Sequence, residues 1–253
     1  MIEILILSLV QGITEFLPVS SSSHLILISK FVNFENQGLS IDVSLHIGSF
    51  IAVLTYFYKD IFNFFENRKL FIKIIISSIP VILIGYVLVR TNFIEEIRNI
   101  KVIAWMTIVF GILLYISDRF KLIKEIKTNF DFKAALIIGF FQAISLIPGV
   151  SRSGITITAA RLLNFKRFDS AKISFLLSIP TLAAVSVYGL NNIFTQEDLG
   201  FSIINLFSIF ISFLFSFFTI KFFLGYIQKF NLNLIICYRI ILGFVLLYFA
   251  YLQ

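Results

Sequence analysis

Two short polar stretches interrupt an otherwise apolar chain, and both hold residue types suited to phosphate. The first, Gln11 through Ser22, supplies Gln11, Glu15, Ser20, Ser21 and Ser22, with His24 just beyond. The second, Gln142 through Ser153, supplies Ser151, Arg152 and Ser153. Gln11 and Glu15 are four residues apart and share one helix face. Hydroxyls donate to phosphate oxygens, and a guanidinium binds two of them at once. Pro18 pushes Leu17 out of helical geometry and ends a helix; a serine is then a good N-cap for the helix expected from about His24. Pro148-Gly149 makes the same kind of break ahead of Ser151 and Ser153. Each break sets a helix N-terminus, with its positive potential, beside hydroxyls, an arrangement that suits an anion.

Each residue also has a plainer reading. A serine run can serve turn chemistry alone, and Arg152 could be an interfacial anchor. An acid at membrane depth costs about 2.5–3.5 kcal/mol unless partnered, so Glu15 reads as functional. Beside a bound phosphate, Glu15 needs either a divalent cation between the two charges or a protonated carboxyl. No set of ligands stands at metal-site spacing, so a cation would be held by few protein groups plus phosphates, as Mg2+ commonly is. Asp42 and His46 lie four residues apart near the end of a long apolar run and read as an interface pair. Arg239 reads as a structural partner for a buried carbonyl.

The elements that position these residues follow from repetition and hydropathy. The two stretches align without gaps at an offset of 131 residues, with five of twelve positions identical and Thr14 facing Ser145. Of 253 residues 58% are apolar and only 14% charged, against about 25% charged in soluble domains; the chain reads as an integral membrane protein. Six runs are long enough to span a bilayer: 41–58, 70–90, 101–117, 171–190, 201–224 and 233–252. Four shorter runs, 2–17, 24–32, 133–147 and 154–163, form two pairs, each joined by a polar stretch, and read as re-entrant hairpins.

Loop charges give the threading. With the loop after Tyr58 in the cytoplasm, cytoplasmic segments carry fifteen of the 21 Lys and Arg, among them Arg161 and Lys166. Outer segments carry four, Lys30, Arg90, Arg98 and Lys101, of which the last three are offset by Glu95 and Glu96; the 191–200 loop carries only Glu197 and Asp198. Arg152 and Arg239 remain in apolar surroundings. Three spans separate the hairpins, so they enter from opposite sides. The expected fold is therefore all-α and polytopic: six transmembrane helices plus two re-entrant hairpins in one membrane domain, 1–253. Inverted repeats of about 1–117 and 132–253 bring their polar breaks together near the midplane. Ser-Ile-Pro at 78–80 recurs at 178–180, outside the 131 register, and reads as two separate helix-kinking needs.

Composition also excludes. The net charge of +7 belongs to cytoplasmic loops, and without a basic soluble domain no nucleic-acid partner is expected. The single Cys237 forms no disulfide within the chain, and no cleavable signal is expected. A structural scaffold leaves the duplicated polar stretches unexplained. A lipid-phosphate transporter or flippase would need Arg152 and hydroxyls, but not Glu15, Ser21 and His24 as a group.

Gln11 through His24 resembles the first signature of the bacterial undecaprenyl pyrophosphate phosphatase (bacitracin resistance) family, and Pro148 through Gly154 resembles the second; the stretch Asp42 through Gly48 is also similar. The resemblance implies hydrolysis of a polyprenyl pyrophosphate lipid to the monophosphate for peptidoglycan synthesis. It also implies dependence on Mg2+ or Ca2+ and an outward-facing site in the cytoplasmic membrane. It assigns the catalytic acid to Glu15, the candidate hydroxyl nucleophile to Ser21, a histidine to His24 and the essential arginine to Arg152. Gln11, Ser20, Ser22, Ser151 and Ser153 would bind substrate, and Glu15 would hold the metal. Between Ser21 and His24 the nucleophile stays open, and so does a homodimer. Gln11 stands where some members have a second glutamate, which removes one metal ligand. Ser23 stands where the family has glycine, so a positive φ there would be strained.

Overall fold

The computed structural model describes residues 2–31, 38–62, 68–91, 96–195 and 202–252; Glu95, Glu197 and Asp198 and the side chains of Ser22 and Lys30 lie outside the described set. Twelve helices form among the described residues: α1 (Ile2–Thr14), α2 (Ser21–Phe31), α3 (Leu39–Tyr56), α4 (Tyr58–Phe62), α5 (Arg68–Arg90), α6 (Ile100–Asp118), α7 (Ile126–Asn129), α8 (Phe132–Ile144), α9 (Arg152–Leu162), α10 (Arg167–Thr195), α11 (Ile203–Lys229) and α12 (Asn233–Leu252). Of these, α3, α5, α6, α10, α11 and α12 are long and apolar enough to cross a membrane. They fall on the six expected runs. Helices α10 and α11 extend past the expected cytoplasmic limits to Arg167 and Lys229.

The four short helices α1, α2, α8 and α9 also form where expected, each end within three residues of the expected run. α2 starts at Ser21 rather than near His24, so Ser21 to Ser23 are its first turn. Ser20 takes the cap position with φ of 75°, and Ser151, its counterpart at the 131 offset, has φ of 71°. The positive φ thus falls at Ser20, and the strain expected at Ser23 does not arise. A non-glycine residue held this way costs about 1–3 kcal/mol and persists only where its surroundings enforce it.

Helix packing fits an inverted repeat in which α1, α2, α3, α5 and α6 correspond to α8, α9, α10, α11 and α12. Exchanging the halves carries the contact α3–α11 onto α10–α5 and α1–α11 onto α8–α5. The contacts α6–α12 and α3–α10 map onto themselves, and all of these form. Close approach depends on small residues: a Cβ at Gly12 of α1 would lie 2.5 Å from the Phe215 Cβ of α11. Hydroxyls reinforce the neighbouring α3–α11 seam, Ser212 donating to the Leu45 carbonyl at 2.7 Å and Ser49 lying 2.9 Å from Ser216. Such small and hydroxylated contacts drive helix association where lipid offers no hydrophobic force.

The end of the bundle assigned to the cytoplasm is organised around Asp118. Arg167 binds its carboxylate at 2.7 and 3.1 Å, and the Leu232 amide donates to it at 3.3 Å. Arg161, counted above among cytoplasmic loop bases, is fully buried here. Its guanidinium lies 3.5 Å from the Asp118 carboxylate and donates to the carbonyls of Asp118, Phe120, Lys121 and Phe165.

Candidate active site

The two breaks meet inside the bundle. Phe16 and Val19 of the first are buried, Phe16 edge-on to Phe175 of α10 at 5.3 Å. Ser153 donates across to the Leu17 carbonyl at 2.8 Å. Arg239 of α12, fully buried, joins both breaks, donating to Pro18 at 3.1 Å, Gly149 at 3.1 Å and Val150 at 3.0 Å. Pro18 and Gly149 occupy matching positions of the duplication, so one guanidinium holds the same carbonyl of each copy. This is the buried-carbonyl role expected of Arg239.

Between the breaks lies a cavity of about 240 Å³ lined by both copies: Thr14 with Ser145, Glu15 with Leu146, Ser20 with Ser151, and Ser21 with Arg152 are four aligned pairs. His46 of α3, Val81 of α5, and Thr181, Leu182 and Val185 of α10 complete it. Because Ser20, Ser21, Ser151 and Arg152 open α2 and α9, two helix N-termini meet at one chamber, a favourable environment for an anion.

Glu15 is the centre of the polar end. Arg152 donates to its Oε1 at 2.5 Å, Ser21 Oγ to its Oε2 at 2.6 Å, and Gln11 Nε2 to the same oxygen at 3.0 Å. Arg152 is paired yet keeps its Nη1 buried with no hydrogen-bond partner among the described residues. A buried guanidinium N–H left unpaired is costly, and beside hydroxyls and two helix N-termini it suits an anionic ligand.

The remaining site residues fall into two groups. Ser20, Ser21, Ser151 and Arg152 line the cavity with Glu15. Gln11 and Ser153 stand behind it, Gln11 on Glu15 and Ser153 on the first break. The Ser22 side chain is outside the described set. His24 does not line the cavity: its Nδ1 meets the Ser20 carbonyl at 2.7 Å and its Nε2 the Tyr238 hydroxyl at 2.6 Å, so it is not joined to Glu15. The histidine in the chamber is His46, read from sequence as an interface residue, with Nδ1 3.1 Å from Gln11 Nε2. Its spacing from Asp42 gave no sign of this, because the contact depends on how α3 packs on α1.

The donor set offers a cation few protein ligands. No three His, Cys, Asp or Glu cluster as metal ligands among the described residues. Gln11 Oε1, however, is buried without a partner beside Glu15. One carboxylate and one amide oxygen fit a cation that brings phosphate oxygens as its other ligands.

Comparison with known proteins finds relatives along nearly the whole chain. The family model described as bacitracin resistance protein BacA matches residues 4–245. An undecaprenyl-diphosphatase of Pelagibacter ubique is 51% identical over 252 residues, 99% of this chain and 98% of that protein. Undecaprenyl-diphosphatases of Saccharophagus degradans and a Jannaschia species are 41% and 36% identical, covering 96% and 97% of this chain and 97% of each relative. By the extent of these matches the chain belongs to the BacA bacitracin resistance family.

Proposed function

We propose that this membrane protein hydrolyses undecaprenyl pyrophosphate to undecaprenyl phosphate and inorganic phosphate. Such a reaction recycles the lipid carrier for peptidoglycan synthesis and confers bacitracin resistance. The observation that carries the reading is Glu15 bonded at once to the Ser21 hydroxyl and to Arg152, which lines the same cavity and keeps a second nitrogen buried and unpaired among the described residues. Phosphoryl transfer needs positioning and neutralised charge above all. Arg152 and the starts of α2 and α9 would hold the phosphates, with Ser20 and Ser151 donating. As the guanidinium turns to phosphate, Glu15 is released to take the Ser21 proton.

Ser21 Oγ then bonds to the terminal phosphorus, and the bond to the bridging oxygen breaks, expelling undecaprenyl phosphate. Water next attacks the phosphoserine, restoring Ser21 and releasing inorganic phosphate. Gln11 orients Glu15, and His24 supports the site by fixing Ser20 from behind. A magnesium or calcium ion, held by Glu15 and Gln11 Oε1, would neutralise phosphate charge. The family resemblance supports a site opening outward in the bacterial cytoplasmic membrane, and the loop charges support the threading that this needs.

Phosphate release from the C55 pyrophosphate in detergent tests this, with and without chelator. Ser21→Ala, Glu15→Gln and Arg152→Lys are expected to lose about 100-fold or more, equivalent to about 2.7 kcal/mol of barrier. Near-normal release by folded Glu15→Gln or Arg152→Lys would sink the assignment. A phospho-enzyme mapped to a residue other than Ser21 would replace the nucleophile.

A further inference from the structure

The duplication that builds the cavity has diverged into two chemistries. At the position where the first copy places Glu15, the second places Leu146, and both line the chamber. Glu15 is bonded to Ser21 and Arg152; Leu146 faces α5, its side chain 3.5 Å from where a Cβ at Gly85 would sit, about one turn on from Val81, and Leu182 and Val185 add further apolar lining. The cavity thus has a charged end and an apolar end. Val81 and Leu182 are buried, at 7% and 3% exposed, while Val185 is 44% exposed on the outside of the bundle. The apolar end therefore runs outward along the seam where α5 packs on α10. The outer surface beside it continues apolar, with Ile82, Tyr86 and Tyr188 exposed.

Pro80 and Pro180 each sit immediately before a wall residue of the chamber, Val81 and Thr181. A proline inside a helix removes a backbone hydrogen bond and crowds the preceding turn. Both walls of the seam are therefore loosened at the depth of the cavity. The two Ser-Ile-Pro tripeptides, outside the register of the duplication, share this location.

We infer that the α5–α10 seam, lined by Val81, Leu146, Leu182 and Val185, is the lateral portal that carries the prenyl chain of the substrate from the site into the bilayer. This rests on the proposed hydrolysis of a polyprenyl pyrophosphate. The chamber is smaller than the roughly 300–1,000 Å³ of pockets that enclose drug-sized ligands, so a long prenyl chain must leave it. Each buried CH2 favours lipid over water by about 0.8 kcal/mol, so the chain leaves sideways rather than through the aqueous mouth. The apolar end with half-exposed Val185 is where the chamber meets the lipid-facing surface.

Photocrosslinking and kinetics together test the portal. A benzophenone amino acid at Val185, with the same group at Val187 as control, is irradiated in the full-length protein with C55 pyrophosphate. Val187 is 68% exposed on the same helix and lines no part of the cavity. The expected result is a lipid adduct at position 185 at least tenfold above that at 187. In parallel, Val185→Trp is expected to lower kcat/KM for C55 pyrophosphate tenfold or more, and Val187→Trp to leave it within twofold. Equal labelling, no labelling at 185, or unchanged kinetics in Val185→Trp while the wild type hydrolyses the lipid overturns the portal alone. Labelling of the position-185 benzophenone variant, with no phosphate released by the wild type, overturns the proposed reaction and leaves a lipid-binding seam.

Discussion

Arg239 allows a test in which the conservative substitution does more harm than the radical one. Its guanidinium is fully buried, ties three carbonyls from two breaks, and has no carboxylate pair among the described residues. In Arg239→Lys the charge stays, but a single ammonium on a shorter stem cannot span Pro18 and the Gly149–Val150 pair. The one or two carbonyls stranded cost about 1–6 kcal/mol. The ammonium is also more strongly hydrated than a guanidinium, so burying it costs more. Releasing its proton would itself cost about 4–5 kcal/mol at neutral pH. Arg239→Met strands all three carbonyls, at about 3–9 kcal/mol, but removes a buried charge whose desolvation costs several kcal/mol. These two effects offset each other in methionine and add in lysine. The expected order of melting in detergent is wild type, then Met, then Lys, with Lys below Met by several degrees at about 2–4 °C per kcal/mol. Both variants should lose tenfold or more in phosphate release, because the breaks no longer share a clamp. A lysine variant that melts with or above the methionine variant would refute the reasoning.

Two further outcomes are expected at the end of the bundle far from the cavity. Asp118→Asn leaves Arg161 buried without its counter-charge and should cost about 3–5 kcal/mol, lowering Tm by roughly 10 °C while activity per folded molecule stays unchanged. The exposed pair Lys166–Glu125 holds the Glu125 carboxyl below its ordinary 4.5 and the Lys166 ammonium above its ordinary 10.5, in both cases through their mutual hydrogen bond. Its small contribution is present between those values, lost as pH falls through the depressed carboxyl value and lost again as pH rises through the raised ammonium value. The melting difference between wild type and Lys166→Met should therefore vanish at both extremes.

What the sequence revealed follows the range of its physics. Hydropathy and proline geometry act locally, so the six spans, the four short helices and both breaks were legible to within a few residues. The offset of 131 residues was enough to bring Glu15, Ser21 and Arg152 toward one another, since a repeat constrains distant segments jointly. Cap position was less legible: a run of four serines offers several caps, and only packing selects Ser20. His46 and the partnership of His24 with Tyr238 were hidden, because each depends on the rotation of a helix about its own axis against another from a distant part of the chain. Likewise Val81, Leu182 and Val185 looked like ordinary span residues until α5 and α10 were seen side by side.

The cross-ties between the breaks bear on how the protein handles lipid. A carrier that rocks one half against the other must slide its mid-membrane breaks past each other in every cycle. Here Arg239 holds Pro18 and Ser153 holds Leu17, each bond joining the first half to the second and neither needed to break for the proposed chemistry. Rocking would sever both of them together, in a setting where lipid supplies no replacement partners. The halves are riveted rather than hinged. A lipid that reaches this chamber is expected to arrive and depart through the same leaflet, changed in its headgroup but not in its side of the membrane.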